Sequence, residues 1–169
     1  MWALGYTGQG QTIAVIDTGI KVNHTNFATA PQDPHFDAAG IQSVLNRYDL
    51  CAEERYNGTL TGATLYHSAK LPFTFNYYAG NTDVSHANAG SDHGTHVSSI
   101  AAGCDSSSRG VAYNAQIISM QVFQNGGAAW TEILAALEDC AWLEVDALNM
   151  SLGSDNGFTQ GEADMEEGF

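Results

Sequence analysis

Two histidines, three residues apart, follow an aspartate in the stretch SDHGTHVSSIAAG, residues 91–103. An imidazole gains and loses its proton near neutral pH, so His93 could act as a general base. A carboxylate that accepts the Nδ1 proton of such a ring fixes its tautomer and stabilises the imidazolium form. Asp17 ends the run TIAVID and is a candidate for that carboxylate. These residues predict acid–base chemistry by an Asp17–His93 pair.

The elements that would position this pair alternate along the chain. Apolar, β-branched runs predict strands at residues 12–17, 115–123 and 145–153, and apolar residues at helical spacing predict helices at 95–103 and 130–144. This order predicts an α/β fold, a parallel sheet flanked by helices. Asp17 and His93 would then meet at the carboxyl edge of the sheet, where ligands bind in such folds. Small residues would let the first helix pack closely on the sheet: Gly94, Thr95, Ser98, Ala101 and Ala102.

Residues 26–90 interrupt this alternation with all three prolines and scattered aromatic residues. A structureless loop of that length is uncommon in a compact domain, so part of the segment must fold locally or pack as an insertion. We therefore expect residues 1–169 to form one domain with a loop-rich insertion at about 26–90.

The charge of the chain restricts its partners. There are 19 acidic residues against five basic ones, a net charge of −14, which argues against a nucleic-acid partner. No apolar run reaches the roughly 18 residues that span a bilayer. No cofactor or metal is predicted; clustered carboxylates suit calcium, but no EF-hand spacing is present. The three cysteines form no C-x-x-C pair, one disulfide is an open alternative, and Cys140 is expected to be buried.

Other interpretations of the same residues stay open. A strand-end aspartate before Thr-Gly is also a common turn former, and Ser91 or Asp92 could cap the helix that begins near His93. His96 is expected to be a packed or hydrogen-bonded structural histidine. Ser151, in NMSLG, resembles the serine of a G-x-S-x-G elbow, but Asn149 occupies the position of the first glycine.

Four segments together resemble the successive blocks of the subtilisin-like serine peptidases: VIDTGI, HGTHVSSIAAG, GVAYNAQI and NMSLGS. They follow that family's order of acid before base, and they extend over about residues 5–154. The stretch AKLPFTFNYYAGNTD is similar to the branch of cell-envelope proteinases and C5a-peptidase-like proteins. The resemblance implies a three-layer subtilisin-like α/β fold, a peptide or protein substrate, and a secreted or bacterial cell-surface location.

The resemblance also implies roles for individual residues. Asp17 matches the aspartate that orients the histidine, and His93 matches the general base. Ser151 is moved out of the nucleophile role, because it matches the strand that pairs with an extended substrate and borders the S1 pocket. The two matching substrate-binding segments would enclose a peptide by β-pairing on both sides: Ser151, Leu152 and Gly153 on one, Gly126, Gly127 and Ala128 on the other.

The chain departs from the family in one respect. The family's nucleophile lies in a G-T-S-M-A-like block and its oxyanion asparagine precedes that block, and neither is found in the 169 residues. We therefore expect the N-terminal half of a catalytic domain, inactive alone, whose incomplete sheet associates with the missing half or with a second copy. The alternatives are a non-catalytic peptide-binding module and a metal-dependent hydrolase using Asp17, Asp92, His93 and His96.

Overall fold

The computed structural model describes residues 1–153. Its strands are β1 (Thr12–Asp17), β2 (Phe73–Asn76), β3 (Gln116–Gln121) and β4 (Ala147–Asn149). Its α-helices are α1 (Ala38–Leu45), α2 (Cys51–Arg55), α3 (Gly62–Leu65), α4 (His93–Ala102) and α5 (Trp130–Trp142). Short 3₁₀ turns cover Trp2–Leu4, Thr25–Phe27 and His86–Ala89.

The four strands form one parallel sheet in the order β2-β3-β1-β4. The predicted parallel α/β fold is therefore confirmed. Asp17 at the end of β1 is in register with Gln121 at the end of β3, so the two central strands reach the carboxyl edge together. β4 is the outer strand on the other side of β1, and Leu148 in it is 42% exposed.

Two apolar cores lie on opposite faces of the sheet, because side chains alternate along each strand. Ala14 and Ile16 point into one core with Ile118 and residues of α1, α2 and α5. Val15 points into the other core with Ile117 and Ala102 of α4. Helices thus cover both faces, and the fold has three layers.

The segment 26–90 contains α1, α2, α3 and β2, so it folds locally. The list of three predicted strands was incomplete, because β2 from this segment joins the sheet beside β3. All four residues of β2 are buried, including the polar Thr74 and Asn76. A buried strand is usually predicted from a continuous apolar run, and these two polar residues interrupt that run. Both side chains are hydrogen-bonded in the structure: Thr74 Oγ1 donates to Leu65 O at 3.2 Å and Asn76 Nδ2 to Asp83 O at 3.2 Å.

Buried polar side chains fasten this segment to the rest of the domain. Gln116 of β3 accepts from Phe36 N at 2.7 Å, and its amide donates to Phe36 O at 2.8 Å. Asp139 of α5, which is fully buried, accepts from Cys51 N at 2.7 Å and Ala52 N at 3.0 Å, so it caps α2 from another helix. These bonds join residues 80 or more positions apart. In residues 1–153, no helix combines the length and apolarity that a membrane span requires.

Candidate active site

Asp17 is held at the carboxyl edge of the sheet as the last residue of β1. Its side chain is only 2% exposed, and its Oδ1 accepts from Thr18 N at 2.7 Å. Gly19 follows with φ +93°, a conformation that side chains other than glycine's rarely adopt. A Cβ at Gly19 would also collide with Val84 O and with the amide of Gln121. The sharp turn predicted from Thr-Gly is therefore built around glycine, and it leaves the carboxylate facing α4.

His93 is the first residue of α4 and faces that carboxylate. Its Nδ1 lies 2.8 Å from Asp17 Oδ1 and 3.0 Å from Asp17 Oδ2. An ionised carboxylate only accepts hydrogen bonds, so Nδ1 must carry the proton and Nε2 holds the lone pair when the ring is neutral. The His93 side chain is 46% exposed, against 2% for Asp17. The acid is sequestered while the ring has access to a ligand, which is the arrangement that a general base requires.

Two further contacts join the turn after Asp17 to the start of α4, and a third lies within the segment that leads into α4. Thr18 Oγ1 accepts from Gly94 N at 2.9 Å, Thr95 Oγ1 accepts from Lys21 N at 2.9 Å, and Ser91 Oγ accepts from His93 N at 3.2 Å. Asp92 occupies the N-cap position of α4 without a side-chain cap bond. Thr18, in the turn after Asp17, thus caps part of the N-terminus of α4. This contact fixes the position of the His93 ring relative to the Asp17 carboxylate.

Gly94 allows this close approach. A Cβ there would lie 3.0 Å from Asp17 Oδ1 and closer still to Gly19 O. Gly94, Thr95, Ser98 and Ala102 are buried, so the expectation that small residues let α4 pack closely is confirmed. The capping role of Thr18 was missed from the sequence, where a threonine after a strand-end aspartate gave a turn signal only.

Two exposed segments follow the strands on either side of β1. After β3, Gly126 and Gly127 lie in a tight turn closed by hydrogen bonds between Gln124 and Gly127 at 2.9 Å and 3.1 Å, and Ala128 follows, half-buried. After β4 come Ser151, Leu152 and Gly153, of which Leu152 is half-buried. The sheet order places the two segments on opposite sides of the strand that carries Asp17.

Among residues 1–153, no hydrogen bond joins Ser151 to His93. Asn149 Nδ2 donates to Ser151 Oγ at 3.0 Å, and the two side chains pair with one another just beyond β4. A nucleophile needs its hydroxyl within hydrogen-bond reach of the base, so the structure gives Ser151 no such partner among the described residues.

Comparison with known proteins identifies the family. Residues 8–167 match the family model of the subtilases, Peptidase S8. The chain belongs to the subtilase family. The PII-type proteinase of Lacticaseibacillus paracasei is 33% identical to this subtilase over 162 residues, which is 90% of this chain and 8% of the proteinase. The minor extracellular protease Vpr of Bacillus subtilis is 29% identical over 154 residues, which is 90% of this chain and 15% of that protease.

A solved structure shares the fold. The CspB protease of Clostridium perfringens superposes with a TM-score of 0.51 at 21% identity, covering 96% of this subtilase and 34% of CspB. The resemblance to subtilisin-like peptidases and to their cell-envelope branch is confirmed by these matches. The subtilase chain spans 8% of the length of the PII-type proteinase, 15% of Vpr and about a third of CspB.

The remaining polar candidates do not form a metal site in the subtilase. Within residues 1–153, no group of three or more His, Cys, Asp or Glu side chains is placed to hold a metal ion. Asp92 and His96 are exposed, and within residues 1–153 the His96 side chain has no hydrogen bond. The expectation of a packed or hydrogen-bonded His96 was therefore wrong. All three cysteines are free, and Cys140 is buried as predicted.

Proposed function

We propose that this chain supplies the acid and the base of a serine endopeptidase, with Asp17 as the orienting carboxylate and His93 as the general base. The observation that carries the proposal is the 2.8 Å contact between His93 Nδ1 and the buried Asp17 Oδ1. It agrees with the family and with the names of the relatives, which are proteinases and proteases. The non-catalytic binding module is the alternative that the experiment below distinguishes.

The chemistry follows from the two ring nitrogens. His93 Nε2 would take the proton of an attacking serine hydroxyl, and the imidazolium that forms would be stabilised by Asp17 through Nδ1–H. The same proton would then pass to the leaving amine as the peptide bond breaks. We assign the attacking serine and the oxyanion donors to residues other than these 169, because no Gly-Thr-Ser sequence occurs among them. The 169-residue chain alone is therefore expected to be inactive.

Gly126, Gly127 and Ala128 would pair with one edge of an extended peptide, and Ser151, Leu152 and Gly153 with the other. Four of the six residues are exposed, and the two segments lie on opposite sides of β1, which supports this assignment. Pairing through backbone groups would accept many sequences and leave the selectivity to pockets for alternate side chains. One relative is named an extracellular protease, so we place this protein outside the cell or on its surface.

The test compares two proteins against a fluorogenic peptide and a fluorophosphonate probe. The 169-residue chain should give no turnover and no labelling. A longer product of the same gene that contains a Gly-Thr-Ser block should give both. In that product, His93→Ala and Asp17→Asn should lower kcat/KM by about 10⁴-fold, the scale of losses in Asp-His-Ser enzymes. His96→Ala, a neighbouring exposed histidine on the same helix, is the matched control and should leave the rate unchanged.

Two results would contradict the proposal. Turnover by the 169-residue chain with labelling of Ser151 would reassign the nucleophile. Peptide binding without turnover in every product of the gene would favour the binding module instead.

A further inference from the structure

Thr18 contacts the acid–base pair and its surroundings with both its backbone and its side chain. Its backbone N–H donates to Asp17 Oδ1 at 2.7 Å, the oxygen that also lies 2.8 Å from His93 Nδ1. Its hydroxyl Oγ1 accepts from Gly94 N at 2.9 Å and donates to Ser91 O in a longer contact of 3.3 Å. One residue therefore joins the strand that carries the acid to the backbone on both sides of the base.

A hydroxyl group is suited to this position. It can make both contacts at once, because it has one proton to donate and two lone pairs to accept. Gly94 N–H is one of the N–H groups at the start of α4 that no carbonyl of the helix can bind. Thr18 is 8% exposed and Gly94 is buried, so water has little access to either group. Without the hydroxyl, this N–H would be buried with no acceptor, and the start of α4 would shift.

His93 lies between the two contacts of the Thr18 hydroxyl. Its backbone N–H donates to Ser91 Oγ at 3.2 Å, a local bond that would move together with the start of α4. Its side chain is 46% exposed, so packing does little to hold the ring. A second bond between the turn and the helix, from Lys21 N to Thr95 Oγ1 at 2.9 Å, lies further along α4. The Thr18 hydroxyl is thus the link next to the residue whose ring must be placed.

We propose that Thr18 is a positioning residue for the general base, acting through the backbone on both sides of His93. Its hydroxyl keeps the ring at hydrogen-bonding distance from Asp17 and does not itself take part in the proton transfer. Proton transfer depends steeply on this geometry, since a displacement of about 1 Å can lower a rate by about 100-fold. The effect of Thr18 on turnover rests on the proposed function, whereas its effect on the ring is measurable in the 169-residue chain without turnover.

The first experiment compares Thr18→Val, which replaces the hydroxyl by a methyl group, with Thr18→Ser, which keeps the hydroxyl. In the 169-residue chain, the Nδ1 proton signal of His93 should shift or broaden in Thr18→Val. The Gly94 amide should exchange with solvent about tenfold faster in that variant, the factor that corresponds to one net hydrogen bond. Thr18→Ser should restore both measurements to those of the parent.

Thr74→Val is the matched control for a general loss of stability. Thr74 is also buried, and its hydroxyl donates to a backbone carbonyl, Leu65 O, at 3.2 Å. It belongs to β2, which carries neither member of the acid–base pair. Thr74→Val should lower the midpoint of urea unfolding, as Thr18→Val does, and leave the His93 signal unchanged. If Thr18 were only structural, the two variants would behave alike in both measurements.

The second experiment uses a longer product of the same gene that contains a Gly-Thr-Ser block. Thr18→Val should lower its kcat roughly tenfold, the rate factor of one net hydrogen bond, with little change in KM. KM should stay the same because Thr18 positions the base and does not bind the peptide. Thr18→Ser should recover most of the lost rate, and Thr74→Val should leave both constants unchanged.

Each outcome bears either on Thr18 or on the peptidase role. An unchanged His93 signal in Thr18→Val would overturn the positioning role. A shifted signal with an unchanged kcat would also overturn it, because the ring position set by Thr18 would then not matter to the reaction. If the parent form of the longer product is itself inactive, the proposed function fails, and the ring measurement still decides whether Thr18 holds His93.

Discussion

Replacing Gly94 by alanine should separate α4 from the Asp17 turn. The added Cβ would lie 3.0 Å from Asp17 Oδ1, 3.2 Å from Asp17 Cβ and nearer still to the carbonyl oxygen of Gly19. The Gly19 carbonyl belongs to the backbone of a tight turn and cannot rotate away as a side chain could, so α4 must move away from the turn. Overpacking of this kind costs about 1–3 kcal/mol, and the better helix propensity of alanine returns up to about 1 kcal/mol. We expect a net loss of roughly 1–2 kcal/mol in the free energy of unfolding.

The assay has two readouts on the 169-residue chain. Urea unfolding should show a lower midpoint with an unchanged slope, and the hydrogen-bonded Nδ1 proton signal of His93 should shift or disappear. Gly127→Ala is the matched control, because a Cβ there meets nothing within 4 Å, and it should change stability by less than about 0.5 kcal/mol. A Gly94→Ala protein as stable as the parent, with the His93 signal unchanged, would show that α4 does not need glycine at this position to pack on the Asp17 turn.

Two buried charges give further predictions. Asp139→Ala should lower the free energy of unfolding by roughly 3 kcal/mol in urea, because Cys51 N, Ala52 N and the Tyr77 hydroxyl lose their acceptor. Glu138→Ala, on the exposed side of α5, is the control and should change it little. Equal effects of the two substitutions would contradict this prediction. Burial lowers the pKa of Lys70 from 10.5 to about 8. The unfolded chain therefore binds that proton more tightly than the folded protein does. Burying the protonated Lys70 costs about 3 kcal/mol of folding free energy below pH 8, and this cost should disappear as the pH rises toward 10.5. The difference in free energy of unfolding between the parent and Lys70→Met should therefore change between pH 7.5 and pH 9.5 by part of that amount, with the parent relatively more stable at pH 9.5. The same difference at both pH values would show that burial does not lower the pKa of Lys70.

The contact between Asp17 and His93 was predictable from the sequence because each residue lies at an element boundary with a strong local signal. A β-branched run ends at Asp17, and small residues follow His93. In a parallel sheet, those boundaries meet at one edge, so a separation of 76 positions in the chain becomes 2.8 Å in the structure. The contact between Thr18 and Gly94 was not predictable, because it depends on how closely two backbones approach.

The support for the site was harder to predict. β2 has only four residues, and two of them are buried polar side chains whose partners lie in other segments. Lys70 and Asp139 belong to residue types that are rarely buried, and only tertiary structure supplies the carbonyls and amide groups that hold them.

We infer that the Asp17 carboxylate holds His93 with its proton on Nδ1. Long-range ¹H–¹⁵N correlation of the His93 ring, at a pH where the ring is neutral, reports the tautomer directly in the 169-residue chain. We expect a protonated Nδ1 with a downfield proton and an unprotonated Nε2, and loss of that signal in Asp17→Asn. A ring protonated on Nε2, with no response to Asp17→Asn, would show that Asp17 does not hold the ring.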